Sequence, residues 1–246
     1  MHVLYLKSFL YFLKKAFHFS KERGFIIRGA CLTNDSLKIL FPQKKIINYQ
    51  KSRVDTLNVK YIENSYFTSF LDVRYISNKL YNLYLDQIPN FWKSLKFKKI
   101  FIIDSYSELT DQLFINKYDK RKIFCANYND VTISGFNKYE SSGLIAENRI
   151  YEEYLLFFKR IRYINNDIKI IYIFFPLDYE TRIKFINQNI YIVNAINKLK
   201  VEFDIHIINI PSELLNEPRI DDFPYHYNDK VYNYVANQIK EKVCGL

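Results

Sequence analysis

Residues able to do covalent chemistry are scarce in this chain, and two of them stand in turns that open helical stretches. Cys31 lies in Gly29-Ala30-Cys31-Leu32-Thr33-Asn34-Asp35, which follows the apolar run Phe25-Ile26-Ile27-Arg28. Backbone N–H groups left free where such a turn enters a helix favour a thiolate and can hold a developing oxyanion. The turn therefore reads as a nucleophile site, with Gly29, Ala30, Thr33, Asn34 and Asp35 as candidate oxyanion or substrate contacts. A plain buried cysteine is the competing reading. Of the four histidines, His2 and His18 lie in the first twenty residues and His206 inside a strand-like run, whereas His226 precedes the last helical stretch. An imidazole there can act as general base toward a thiol, with Asp222 (or Asp221) fixing its tautomer.

Weaker candidates surround these. Asp104 and Ser105 end the run Lys99-Ile100-Phe101-Ile102-Ile103, and Glu108 follows one turn later. Each has an ordinary alternative, since a carboxylate at a strand end caps the next helix and a first-turn acid suits the helix dipole. Arg53 and Arg74 have the planar fork that grips phosphate or carboxylate, and Tyr225 adjoins His226. Cys31, Cys125 and Cys244 are odd in number, far apart and without CxxC spacing, so neither a disulfide framework nor a metal site is expected.

Positioning such residues requires a scaffold. Phe25–Arg28, Lys44–Tyr49, Lys99–Asp104, Ile168–Phe175 and Ile205–Ile210 read as five strands, most of them continuous apolar runs that suit a parallel sheet covered on both faces. Helical stretches at 78–94, 151–163, 180–200 and 228–242 alternate with them. The alternation predicts an α/β fold, a three-layer doubly wound sandwich with a mostly parallel five-stranded sheet and its ligand site at the strands' carboxyl ends. Segments 50–77 and 116–148 are polar or irregular and are read as loops or insertions. Residues 1–23 are set apart as a basic amphipathic N-terminal helix, with Leu6, Phe9, Leu10, Leu13 and Phe17 at helical spacing, leaving 24–246 as the α/β domain. Such a helix packs on the domain or lies on an anionic membrane surface through residues 1–20.

Composition bounds the function. At roughly 150 residues per domain, 246 residues is one large domain with an extension. With 49% hydrophobic residues and only 5 Gly and 6 Pro, disordered and collagen-like classes are excluded. The formal charge of +10 is spread along the chain without a block, so no nucleic-acid partner is expected. No run of 18 apolar residues offers a membrane span, and Lys7, Lys14 and Lys15 break the N-terminal apolar stretch. The expected location is cytoplasmic, with a peripheral contact at the inner membrane face.

The two end motifs resemble those of the SGNH (GDSL-type) hydrolase superfamily. Gly29-Ala30-Cys31-Leu32-Thr33 is similar to its opening block with Cys31 at the nucleophile position, and Asp222 to His226 is similar to its closing block. The likeness is closer to a bacterial branch with a Gly-Ser-Cys opening and a Pro-Phe-His-Tyr ending, associated with surface-polysaccharide loci, which Pro224-Tyr225-His226-Tyr227 resembles. Ile102-Ile103-Asp104 through Glu108 looks like that branch's middle motif. The resemblance implies an SGNH/flavodoxin-like sheet. It implies an acyltransferase or esterase acting on a carbohydrate of capsule or surface polysaccharide, with acyl-CoA as a donor and no tightly bound cofactor. Ala30 stands in place of the branch's Ser, Asn34 in place of its Arg, and the superfamily's third-block Asn is missing. These departures motivate the alternative of a catalytically inactive SGNH-like binding or scaffold protein in a polysaccharide-assembly complex.

Overall fold

Four isoleucine-rich runs form the centre of the molecule because β-branched chains pack well on a pleated surface buried from both sides. They are β1 (Phe25–Arg28), β2 (Ile100–Asp104), β6 (Lys169–Ile173) and β7 (Ile205–Ile208), paired in parallel in the order β1-β2-β6-β7. Phe25 stands opposite Ile100, Ile103 opposite Tyr172, and Ile171 opposite His206. β2 is buried along its whole length. Each isoleucine so buried contributes about 1.5–3 kcal/mol.

The computed structural model describes residues 24–43, 46, 48–63, 91–120, 123–127, 131 and 138–243, with side chains omitted for 60–63. The expected N-terminal helix, Arg74, Cys244 and the larger part of the helical stretch 78–94 lie outside the described residues. Helices flank the sheet on both sides. α1 (Cys31–Leu40) packs on α7 (Asp229–Val243), whereas α5 (Glu147–Ile164) packs on α6 (Ile183–Leu199), α2 (Val54–Glu63) and α3 (Phe91–Leu95). Phe91, Trp92, Phe101 and Phe157 form an aromatic cluster, with the Trp92 indole N–H donating to the Leu57 carbonyl at 2.9 Å. No helix among the described residues is long and apolar enough to cross a membrane.

Three expectations are corrected. The parallel sheet has four strands among the described residues, and within the expected Lys44–Tyr49 strand the described residues make a single bridge, from Asn48 to Ile27. Asn48 turns its amide onto the Gly29 peptide instead of extending the ladder, donating to Gly29 O at 2.8 Å and accepting from Gly29 N at 3.2 Å. Residues 54–63, expected in a loop, form helix α2. Its inward face is polar yet satisfied: Asn58 donates to the Glu153 carbonyl and carboxylate at 2.8 Å each and accepts from Arg160. The stretch after β2 forms the short helix α4 (Tyr106–Thr110) and a second, antiparallel sheet of β3 (Asp111–Asn116), β4 (Ile123–Asn127) and β5 (Tyr139–Ser141) in the order β4-β3-β5. Phe114 and Phe124 face each other across its ladder with stacked rings 5.2 Å apart.

Candidate active site at the carboxyl ends of the strands

β1 ends at Arg28, and Gly29 and Ala30 lead into α1, whose first residue is Cys31. Gly29 is demanded by space: a Cβ there would lie 2.5 Å from the Thr33 Cβ and 2.8 Å from Asp104 Oδ2. That crowding reflects a clamp. Asp104, at the end of β2, accepts the Ala30 N–H at 2.8 Å and the Thr33 hydroxyl at 2.5 Å on one oxygen, and the Tyr106 N–H at 3.0 Å on the other. Burial raises the Asp104 carboxyl to about 6, against the pull of these bonds. Asn48 grips the other face of the turn through the Gly29 peptide. The Gly29 and Ala30 amides are therefore engaged, and neither is available for an oxyanion. The Cys31, Leu32 and Thr33 amides precede the first helical bond, Asn34 N to Ala30 O at 2.9 Å, and are the ones α1 leaves outside its ladder.

Beneath the clamp lies an ion pair that the sequence reading did not anticipate. Arg28 and Glu108 are 1% and 0% exposed and meet through two bonds of 2.7 Å. Arg28 also donates to the Ser52 and Asp104 carbonyls, and Glu108 accepts the Val54 N–H at 2.9 Å. Glu108 is thus a buried structural partner. Ser105 is fully buried, and its hydroxyl has no hydrogen-bond partner among the described residues. Arg53, expected to grip a substrate anion, is 1% exposed and spends its fork on Asp55 and on the Asp111 and Gly143 carbonyls. Arg28 and Glu108 could have been paired from sequence, as lone charges in elements otherwise headed for the core.

The loop before α7 is built differently. Tyr225 is 2% exposed and donates to Glu180 at 2.5 Å; Tyr227 is 1% exposed and donates to the Pro176 carbonyl at 2.9 Å. Asn228 accepts the Val231 N–H at 3.1 Å and caps α7. His226, between the two anchored tyrosines, stays at the surface. Its Nδ1 lies 2.7 Å from Asp221 Oδ2, and Asp221 also accepts the Phe223 N–H at 2.8 Å, which fixes it in a local turn. The hydrogen bond to His226 holds the Asp221 carboxyl below its ordinary value. Asp222, the acid expected to orient His226, points into solvent with its nearest cation, Arg219, at 4.0 Å. Tyr225, expected to touch substrate, is instead a buried anchor.

The elements that follow β1 and that follow the His226 loop meet, because α1 packs on α7. The Tyr232 hydroxyl of α7 is raised mainly by burial, with added contributions from Asp35, Cys31 and Asp221, and it accepts the Tyr227 N–H. Tyr106 likewise feels Cys31 and rests edge-on against Tyr225 at 5.3 Å. Cys31 is exposed, but the atoms packed round its sulfur push the thiol up, and the Asp35 and Asp104 carboxylates add to this. The resting thiol is therefore protonated at neutral pH, contrary to the lowered value expected of a helix N-terminus. Asp35 pairs with Lys38 at 2.7 Å, and Asn34 sits beside it. Among the described residues no hydrogen bond joins Cys31 to His226, and no group of His, Cys, Asp and Glu could hold a metal ion. No protein-family model, curated protein or solved structure gives a significant match to the chain.

Proposed function

We propose that the protein is an SGNH-like acyl-transfer enzyme acting on a carbohydrate of surface-polysaccharide assembly. Cys31 is its nucleophile and His226 its base, held by Asp221. The reading is carried by the Asp221–His226 pair, formed at 2.7 Å on a loop that α7 brings beside the Cys31 helix. A carboxylate on Nδ1 fixes the tautomer that leaves Nε2 free to accept a proton. The protonated thiol attacks the acyl carbonyl of a thioester or ester donor and passes its proton to His226 Nε2. The amides at the start of α1 receive the oxyanion. Collapse expels the donor's thiol or alcohol, which takes the proton back from His226, and leaves an acyl thioester on Cys31. A sugar hydroxyl, deprotonated by the same imidazole, then attacks the thioester carbonyl; the C–S bond breaks, and the Cys31 thiolate takes the proton back from His226.

Intact-mass measurement after mixing with acetyl-CoA or p-nitrophenyl acetate tests this. One acyl group is expected on Cys31, absent in Cys31→Ala and formed at least about a hundredfold more slowly in His226→Asn. Unchanged labelling of Cys31→Ala would remove the assigned nucleophile. The raised thiol and the engaged Gly29 and Ala30 amides favour a second reading, a carbohydrate-binding scaffold without chemistry. Sugar binding with no acyl-enzyme in any variant is its signature.

A further inference from the structure

Strands of a parallel sheet all enter from one end, so the turns leading into β2, β6 and β7 lie together, opposite the end that carries Cys31 and Asp104. An apolar side chain stands out at each: Phe97 in the turn before β2 is 67% exposed, Tyr163 in the last turn of α5 83%, and Val201 in the turn before β7 84%. Around them the segments 93–99, 159–169 and 198–204 carry ten lysines and arginines against the three acids Asp167, Glu202 and Asp204. Of the ten, only Lys98 and Arg160 are buried. Arg162 is engaged by the Asn166, Ile168 and Phe203 carbonyls, so lysines on flexible stems supply the outward charge. Lys96 Nζ, for example, lies 5.7 Å over the Phe97 ring.

We propose that this end of the sheet is a docking face for an anionic lipid surface. Three apolar knobs standing out of a ring of lysines match the boundary between acyl chains and charged headgroups, where stems lie along the apolar layer and ammonium groups reach phosphate. The chain itself leads there. Residues 1–23 hold Lys7, Lys14, Lys15, Lys21 and Arg23 among leucines and phenylalanines, and they join the fold at Gly24, whose carbonyl accepts the Lys99 N–H at 3.2 Å. Gly24, where these residues join the fold, lies at that end of the sheet. A five-residue strand spans about 16 Å, so a docked protein presents Cys31 on the side away from the lipid. The inference is independent of the acyl-transfer chemistry.

Co-sedimentation of the full chain with vesicles tests it, using phosphatidylglycerol and phosphatidylcholine in equal parts against phosphatidylcholine alone. The full chain is expected to bind the anionic vesicles, and added salt to weaken the binding. Replacing Phe97, Tyr163 and Val201 together with Ser should lower partition about tenfold or more. Lys96→Gln combined with Lys200→Gln should lower it about tenfold. All five positions are exposed, so thermal unfolding should coincide with that of the parent protein. Absence of binding to anionic vesicles overturns the proposal. So does equal binding by both variants, which would place the contact in residues 1–23. Loss of RNA retention in the same variants, with no lipid binding, would assign the face to nucleic acid instead.

Discussion

The two halves of the candidate site are held by opposite means. The turn before Cys31 is locked from below: Thr33 and Asp104 are 0% and 1% exposed, and each carboxylate oxygen of Asp104 has at least one donor. The Asp221–His226 pair stands in water, with side chains 49% and 30% exposed and only a local turn behind it. Buried polar networks are strong when complete and costly when broken, whereas exposed pairs contribute about 0–1 kcal/mol. The difference teaches that what holds the fold and what stands open to solvent are separable here. The turn before Cys31 belongs to the core and His226 to the surface.

Breaking the ion pair under the clamp should have the largest effect on stability. Glu108→Leu leaves the Arg28 charge unpaired in the core and should cost about 3–5 kcal/mol in urea unfolding. Next is the pH response of the clamp itself. The Asp104 carboxyl titrates near 6 in the folded chain against 3.8 ordinarily, so between those values the folded state holds a proton that the unfolded state releases. The stability that Asp104 contributes is complete below about pH 4 and declines as pH rises through 6, by about 2–3 kcal/mol. Lowered carboxyls such as Glu180 act in the opposite sense, so the measurement is the difference between two curves. Asp104→Asn should lack this decline in chemical denaturation, and a parallel pair of curves would contradict the assignment. Asp221→Asn should be the mildest for stability, within about 0.5 kcal/mol, while slowing acyl-enzyme formation by about two orders of magnitude or more. Asp222→Asn should change neither. A stability loss at Asp221 matching that at Glu108 would erase the contrast between the two halves.

Legibility in the sequence follows the same line. Ile100–Asp104 and Lys169–Ile173 announce themselves because a strand buried on both faces must be largely apolar, and the edge strand Ile205–Ile208, partly buried, does so through its isoleucines. The helices α5, α6 and α7 were visible through their one-sided burial, within a few residues at each end. Helix α2 was not, because its buried positions include Asp55, Thr56 and Asn58; Asp55 pairs with the nearby Arg53, while the partners Cys125, Glu153 and Arg160 come from elsewhere in the chain. A polar inward face defeats any hydrophobic period. The second sheet was hidden similarly, since β3 buries Asp111 and Asn116 at its two ends. Within the candidate site, the helix-opening turn at Cys31 and the loop carrying His226 before the last helix were legible from turn chemistry. Asn48 was not, because its bond to Gly29 depends on how the chain returns to β1. The choice of Asp221 over Asp222 rests on which carboxylate the 221–226 turn directs at the ring, and adjacent acids look alike in a sequence.

The parallel pairing of β1 with β2 has a consequence for how the protein is made. Phe25 must wait for Ile100, and Arg28 for Glu108, before either has its partner, and the His226 loop is placed only once α7 packs on α1. On the ribosome the nascent chain therefore carries a first strand held by little more than the Asn48 bridge, and a stranded guanidinium, until Glu108 has emerged. Topology of this kind slows folding and leaves a sticky edge for chaperones to shield.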